Sequence, residues 1–230
     1  VTLRSRALMG LLLLALLATT SVVWLWHERA SAEAAAAVRL ERCERFTYQE
    51  HWRAARPSGT GPRVVVIGDS WSSGFGLSTP QRSWPVRLAG RVHVDGFPGS
   101  GFSERASSCP GVSYADRAPR DLRRGASLVV VEGGLNDFDQ SDAAITSGFH
   151  RLMAELHGYR VVVVGPPSAP LRGATVVRVD RLLASLSAKA RVPYFGTRAL
   201  RLTYLPDRLH PDQRGANAFG DAVARFIAAH

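Results

Sequence analysis

Lysine is nearly missing from this chain: of its 29 basic residues only Lys189 is lysine. The arginines are scattered, and no helix-turn-helix, RNP or zinc pattern accompanies them. A formal charge of +10 therefore does not mark a nucleic-acid-binding protein. Cysteine is almost as scarce. Neither Cys43 nor Cys109 has a histidine or another cysteine at ligand spacing, which argues against a zinc site. No metal and no organic cofactor is expected. The sequence has no G-x-x-x-x-G-K-[ST], no H-E-x-x-H and no G-x-S-x-G, and Gly96, Gly99 and Gly101 do not space as a dinucleotide-binding loop. P-loop, zinc-protease and nucleophile-elbow chemistry are set aside on that ground.

Long uncharged runs are also absent, with one exception. Arg4 and Arg6 precede a stretch from Ala7 to Trp26 without a charge, closed by His27-Glu28-Arg29. Secretory apolar cores run about 7 to 15 residues and spanning helices about 20, so this N-terminal apolar helix suits a signal anchor. Ala30-Ser31-Ala32 offers the small-residue pattern of a cleaved signal peptide, and both alternatives stay open. Either one leaves the positive flank inside and exports the rest, placing it outside the cytoplasm, membrane-anchored or secreted after cleavage near Ala32. In an exported chain two cysteines permit one disulfide. A Cys43–Cys109 bridge would close about 65 residues and stabilise by roughly 4 kcal/mol on the chain-entropy account.

Three regions follow: 1–32 as anchor or signal, 33–62 as an Ala-rich charged segment ending in a Pro/Gly linker, and 63–230 as the folded domain. From Arg63 onward, short apolar runs (Val64–Ile67, Val92–Val94, Leu128–Val131, Val161–Val164, Val192–Phe195) alternate with helical patterns. The latter cover Trp84–Gly90, Ala115–Arg124, Ser141–His157, Thr175–Arg191 and Asp212–Ala229. Such alternation predicts an α/β fold, a parallel sheet with helices on both faces. At about 170 to 200 residues the domain buries its own core and is expected to be monomeric.

Four segments carry candidate chemistry: Gly68-Asp69-Ser70, Phe97-Pro98-Gly99, Gly134-Leu135-Asn136-Asp137 and Asp207-Arg208-Leu209-His210. Ser70 follows the first predicted strand, where open α/β sheets place their reactive groups. A serine hydroxyl needs a base, and an imidazole ordinarily titrating near pH ~6.5 supplies one. Asp207 lies three residues before His210, so one turn of chain directs its carboxylate at a ring nitrogen. Asp212 is the rival acid, but its position suits the first turn of the last helix. Asn136 follows Glu132-Gly133-Gly134, a glycine pair expected to let backbone crowd a ligand. Asp69 and Asp137 read as carboxylates bracing loops through backbone N–H groups. Trp71, Phe75, Phe102 and Phe138 surround these blocks and either wall a pocket or pack in the core.

Together the GDS serine, the glycine, the G-x-N-D asparagine and the D-x-x-H pair resemble the SGNH, or GDSL-type, hydrolase family over roughly residues 63 to 230. The resemblance implies a three-layer α/β/α sandwich with a flavodoxin-like parallel sheet. It implies a serine esterase with catalytic Ser70, Asp207 and His210 and an oxyanion hole from Ser70, Gly99 and Asn136. The substrate would be a small-molecule or carbohydrate-borne ester. Two departures stand out: Trp71-Ser72-Ser73-Gly74 after the serine, and no asparagine before the glycine block, where Gly96 and Gly101 lie close by. The same machinery serves an acyltransferase acting on envelope sugars, since only the acceptor differs. A non-catalytic envelope binding module is the alternative from another class.

Overall fold

The computed structural model describes the backbone of residues 3–230 and the side chains of Leu17 and residues 19–230. The chain divides into two compact units, Val1–Glu44 and Arg45–His230. Helix α1, Leu3–Ala54, accounts for the first, and its end from Arg45 belongs to the second. Among the described residues no helix is long and apolar enough to cross a membrane. Of the uncharged stretch expected to do so, the side chains of residues 7–16 and Ala18 lie outside the described residues. Cys43 and Cys109 are each disulfide-bonded.

The second unit alternates as its hydrophobic pattern requires: β1 Arg63–Gly68, α2 Ser70–Ser73, β2 Arg91–Gly96, α3 Tyr114–Asp121, β3 Leu128–Glu132, α4 Asp142–Glu155, β4 Val161–Val164, α5 Thr175–Ala190, β5 Tyr194–Phe195 and α6 Gln213–Ala228. The helix expected over Trp84–Gly90 is instead a single 3-10 turn, Trp84–Arg87, preceded by another at Pro80–Arg82. Leu88 turns extended there, with ψ 145, and buries its side chain against the sheet.

All strand pairings are parallel, in the order β2-β1-β3-β4-β5. Side-chain alternation gives the sheet two buried faces. Val65, Ile67, Val129, Val131, Val161 and Val163 pack with Ala118 of α3, Phe149 and Leu152 of α4 and Leu183 of α5. Val64, Val66, Val92, Val94, Val130, Val162 and Val164 pack with Trp84 and with Phe219 and Val223 of α6. This is the three-layer α/β/α arrangement. Each of the Val, Ile, Leu and Phe side chains contributes about 1.5–3 kcal/mol on burial, and a one-residue slip of any central strand would exchange its two faces, so register is strongly fixed. Strand order reverses between β1 and β3. The loops leaving their carboxyl ends meet at that switch point, where open α/β sheets place their ligands.

Candidate active site

Strand β1 ends at Gly68, and Asp69 caps the one-turn helix α2 by accepting the Trp71 amide at 2.8 Å. Ser70, the first residue of that turn, is 7% exposed. Its Oγ lies 2.9 Å from Nε2 of His210, whose Nδ1 lies 2.6 Å from Oδ2 of Asp207. The other Asp207 oxygen accepts the backbone amides of Leu209 and His210, at 2.9 and 3.0 Å. Burial alone would raise the Asp207 pKa. The bonds from the His210 ring and the two amides outweigh it and hold the carboxyl below its ordinary value. An ionised carboxylate only accepts, so Nδ1 must donate to it. In the neutral imidazole Nε2 then carries the lone pair facing the serine hydroxyl. Asp212 is the N-cap of α6 and accepts the Gly215 amide at 2.7 Å and the Thr203 hydroxyl.

The other loops are tied to this one by hydrogen bonds. Asn136 Nδ2 donates to Ser100 O at 2.9 Å and to Asp69 Oδ2 at 3.2 Å, so one amide joins the loops after β1, β2 and β3. Asp137 braces as expected, accepting the Phe102 and Ser103 amides at 3.0 and 2.8 Å. Gly99 is half-buried with φ +84, and a Cβ there would meet nothing nearer than Ser107 Oγ at 3.8 Å. Gly96 and Gly101 are glycines for a different reason. A Cβ would come within 2.4 Å of the Ser73 amide nitrogen or 2.5 Å of the Asp137 carboxylate. The glycine pair before Asn136 departs from expectation too. A Cβ on Gly133 would lie 1.7 Å from the Tyr114 hydroxyl, and one on Gly134 would press on Leu183, Val179 and Pro166. The pair makes room for the protein's own side chains.

Several residues that support the site escaped the sequence reading. Arg117 of α3 is buried, ion-paired with Asp95 of β2, and donates to Gly68 O at 2.8 Å and Ser100 Oγ at 3.1 Å. Glu132, at the end of β3, accepts the Ser72 hydroxyl at 2.6 Å beneath the nucleophile turn. Burial pushes the Glu132 carboxyl well up, Asp69 up to about 7 and Asp137 up to about 6. The aromatics separate: Trp71 and Phe102 are core, whereas Phe75 is 38% exposed with its ring 5.0 Å from that of His210. Phe138 lies under the Arg172 guanidinium at 3.9 Å.

Among the described residues no cluster of histidine, cysteine and carboxylate side chains could hold a metal ion. The arrangement can deprotonate a buried serine through a neutral imidazole, which is the first requirement of acyl transfer.

The sequence pattern of the GDSL-like Lipase/Acylhydrolase family matches residues 66–218. Solved structures similar to this one include a carbohydrate acetylesterase from Sinorhizobium meliloti, with TM-score 0.63 and 18% identity over 73% of this chain and 99% of that one. An aryl esterase of M. smegmatis follows with TM-score 0.62 and 19% identity over 74% and 99%. A putative arylesterase from Agrobacterium tumefaciens has TM-score 0.59 and 24% identity over 73% and 99%. At these identities the likeness concerns the fold. No curated protein sequence matches the chain.

Proposed function

The chain belongs to the GDSL-like lipase/acylhydrolase family of ester-hydrolysing enzymes, and we propose that it is an exported serine esterase working through Ser70, His210 and Asp207. One observation carries the reading: the unbroken contact from the Ser70 hydroxyl through the imidazole to an ionised carboxylate, at 2.9 and 2.6 Å. Ser70 Oγ attacks the ester carbonyl while Nε2 of His210 takes its proton. The same proton passes to the leaving alcohol as the tetrahedral intermediate collapses to an acyl-serine. Water, deprotonated by the imidazole, then releases the acid and restores the hydroxyl. Asp207 keeps the tautomer that leaves Nε2 free and stabilises the imidazolium as it forms.

The oxyanion is bound by the amides of Ser70 and Gly99 and by the side chain of Asn136. Asn136 exchanges the longer of its two bonds, the one to Asp69, for the oxyanion. Export is supported by the two disulfide-bonded cysteines, since such bonds persist in oxidising compartments. Small acyl groups on sugars or aromatic alcohols are the substrate class to test first, given the carbohydrate and aryl esterases that share the fold.

The purified chain should release acid from para-nitrophenyl acetate or an acetylated sugar in water alone. Acyl product formed only when a sugar hydroxyl acceptor is present would make it a transferase. Absence of both turnover and serine labelling by a fluorophosphonate would leave only the binding module.

A further inference from the structure

The end of α1 that belongs to the second unit, together with the loop after the nucleophile turn, encloses a pocket of about 320 Å³. Tyr48, Trp52 and Arg53 line it from the helix, and Ser73, Phe75 and Leu77 from the loop. The loop residues are close to the chemistry: the Ser73 hydroxyl and the Phe75 amide both donate to the Ser70 carbonyl at 3.0 Å, and Phe75 lies against the His210 ring.

Arg53 is the anomaly in this wall. It is 2% exposed, and its Nη1 donates to Arg56 O at 2.9 Å, yet Nε and Nη2 are buried without any partner. These two nitrogens form one edge of the guanidinium, the parallel pair of N–H groups that meets a carboxylate in two-point fashion. Among the described residues lining the pocket none is acidic, so the protein supplies no counterion from this wall. A buried donor without an acceptor destabilises the fold, and such a group normally has a reason to persist. Burial lowers the Arg53 pKa to about 10, which leaves it charged at neutral pH.

We propose that this pocket receives a carboxylate carried by the ester substrate, held two-point by Nε and Nη2 of Arg53 once the guanidinium, now covered, turns that edge into the cavity, with the aromatic rings of Tyr48, Trp52 and Phe75 around its stem. The enzyme then selects carboxylate-bearing esters over neutral ones. This rests on the esterase reading above, since it assigns the pocket to one arm of that enzyme's substrate. Arg172, over Phe138, is the rival cation.

The test uses the full chain and two matched pairs: mono-para-nitrophenyl glutarate against para-nitrophenyl butyrate for the acyl arm, and para-acetoxybenzoate against its methyl ester for the alcohol arm. In at least one pair the carboxylate ester should have the higher kcat/KM, by about 10- to 100-fold, the effect of a charged hydrogen-bonding pair, expressed in KM. That ratio should collapse in Arg53→Gln, recover only in part in Arg53→Lys, which lacks the fork, and persist in Arg172→Gln.

Independently of turnover, glutarate should raise the melting temperature of Ser70→Ala and lose this effect in the Ser70→Ala, Arg53→Gln double variant. A wild-type chain that hydrolyses the neutral esters with no preference for the carboxylate overturns the inference and leaves the esterase reading standing. A preference that survives Arg53→Gln, or vanishes in Arg172→Gln, overturns it as well. Glutarate binding that depends on Arg53 in a chain hydrolysing none of the four esters supports the site and overturns the esterase reading.

Discussion

Two groups of carboxylates lie close to Ser70, and they behave in opposite ways. Asp207, in the loop before α6, has a side chain 44% exposed and accepts the imidazole and two backbone amides, so it is held below its ordinary value. Asp69, Glu132 and Asp137, in the floor beneath Ser70, are fully buried and are pushed up by that burial. Nearness to the serine therefore does not qualify a carboxylate as the acid that orients the base. A carboxylate serves that purpose when donors converge on it and water still reaches it. Donors converge on Asp69 and Asp137 as well, but where water is excluded burial outweighs them and pushes the carboxyl up, and such a group braces loops instead.

Substitutions sharpen this contrast in order of size. Ser70→Ala removes the proposed nucleophile and should reduce kcat by about 10⁶, to background, with the fold kept, as circular dichroism and ester assays would show. Asp207→Asn should lower kcat by up to about 10⁴ by favouring the wrong imidazole tautomer. A loss below tenfold would remove Asp207 from the account. Asn136→Ala should cost about 10² to 10³ in kcat, the usual loss for one oxyanion donor. Because the same amide ties three loops, a lower melting temperature should accompany it.

The floor makes its own prediction through pH. A carboxyl raised in the folded state keeps its proton where the unfolded chain has lost it, so folding binds protons and stability falls as pH rises. The window opens near the unfolded value, about 4, and for Asp69 closes at about 7. Denaturant titrations from pH 4.5 to 7.5 should show wild type losing stability relative to Glu132→Gln, which keeps an acceptor for Ser72 without the ionisation. A difference that grows with pH in favour of wild type would contradict the assignment. Asp207 works with the opposite sign: its contribution is present above the unfolded value and is lost as acidity rises through its depressed folded value. The smallest effect belongs to Asp212→Asn, which leaves a competent cap and should change kcat hardly at all and stability by a few tenths of a kcal/mol.

The apolar runs made the strands legible to within a residue or two, because Val64–Ile67 and Val161–Val164 have no other way to hide their side chains. The candidate blocks stood out because each is short and local in sequence, and the structure brings Ser70, His210 and Asp207 into contact. What could not be read were the pairings across the chain. Asp95 sits in a buried part of β2 and Arg117 in α3, 22 residues apart, and nothing local says that they meet. The same holds for Ser72 with Glu132, 60 residues apart, and for the orphaned edge of Arg53, which looks like any helix-terminal arginine until the pocket wall is built around it. The glycine pair before Asn136 misled for a related reason. The pattern shows that space is tight there, not that Tyr114 occupies it.

On the proposed mechanism Asp207, and not the buried floor, prepares His210 to activate Ser70. Fluorophosphonate labelling followed by peptide mass spectrometry tests it most directly, because it reads the reactivity of one hydroxyl without choosing a substrate. A single adduct on Ser70 is expected in wild type. The labelling rate should fall by up to about 10⁴ in Asp207→Asn, and by no more than about 10² in Asp69→Asn, which disturbs the bond to Asn136. An adduct on another serine, or a rate that collapses in Asp69→Asn and survives in Asp207→Asn, would contradict it.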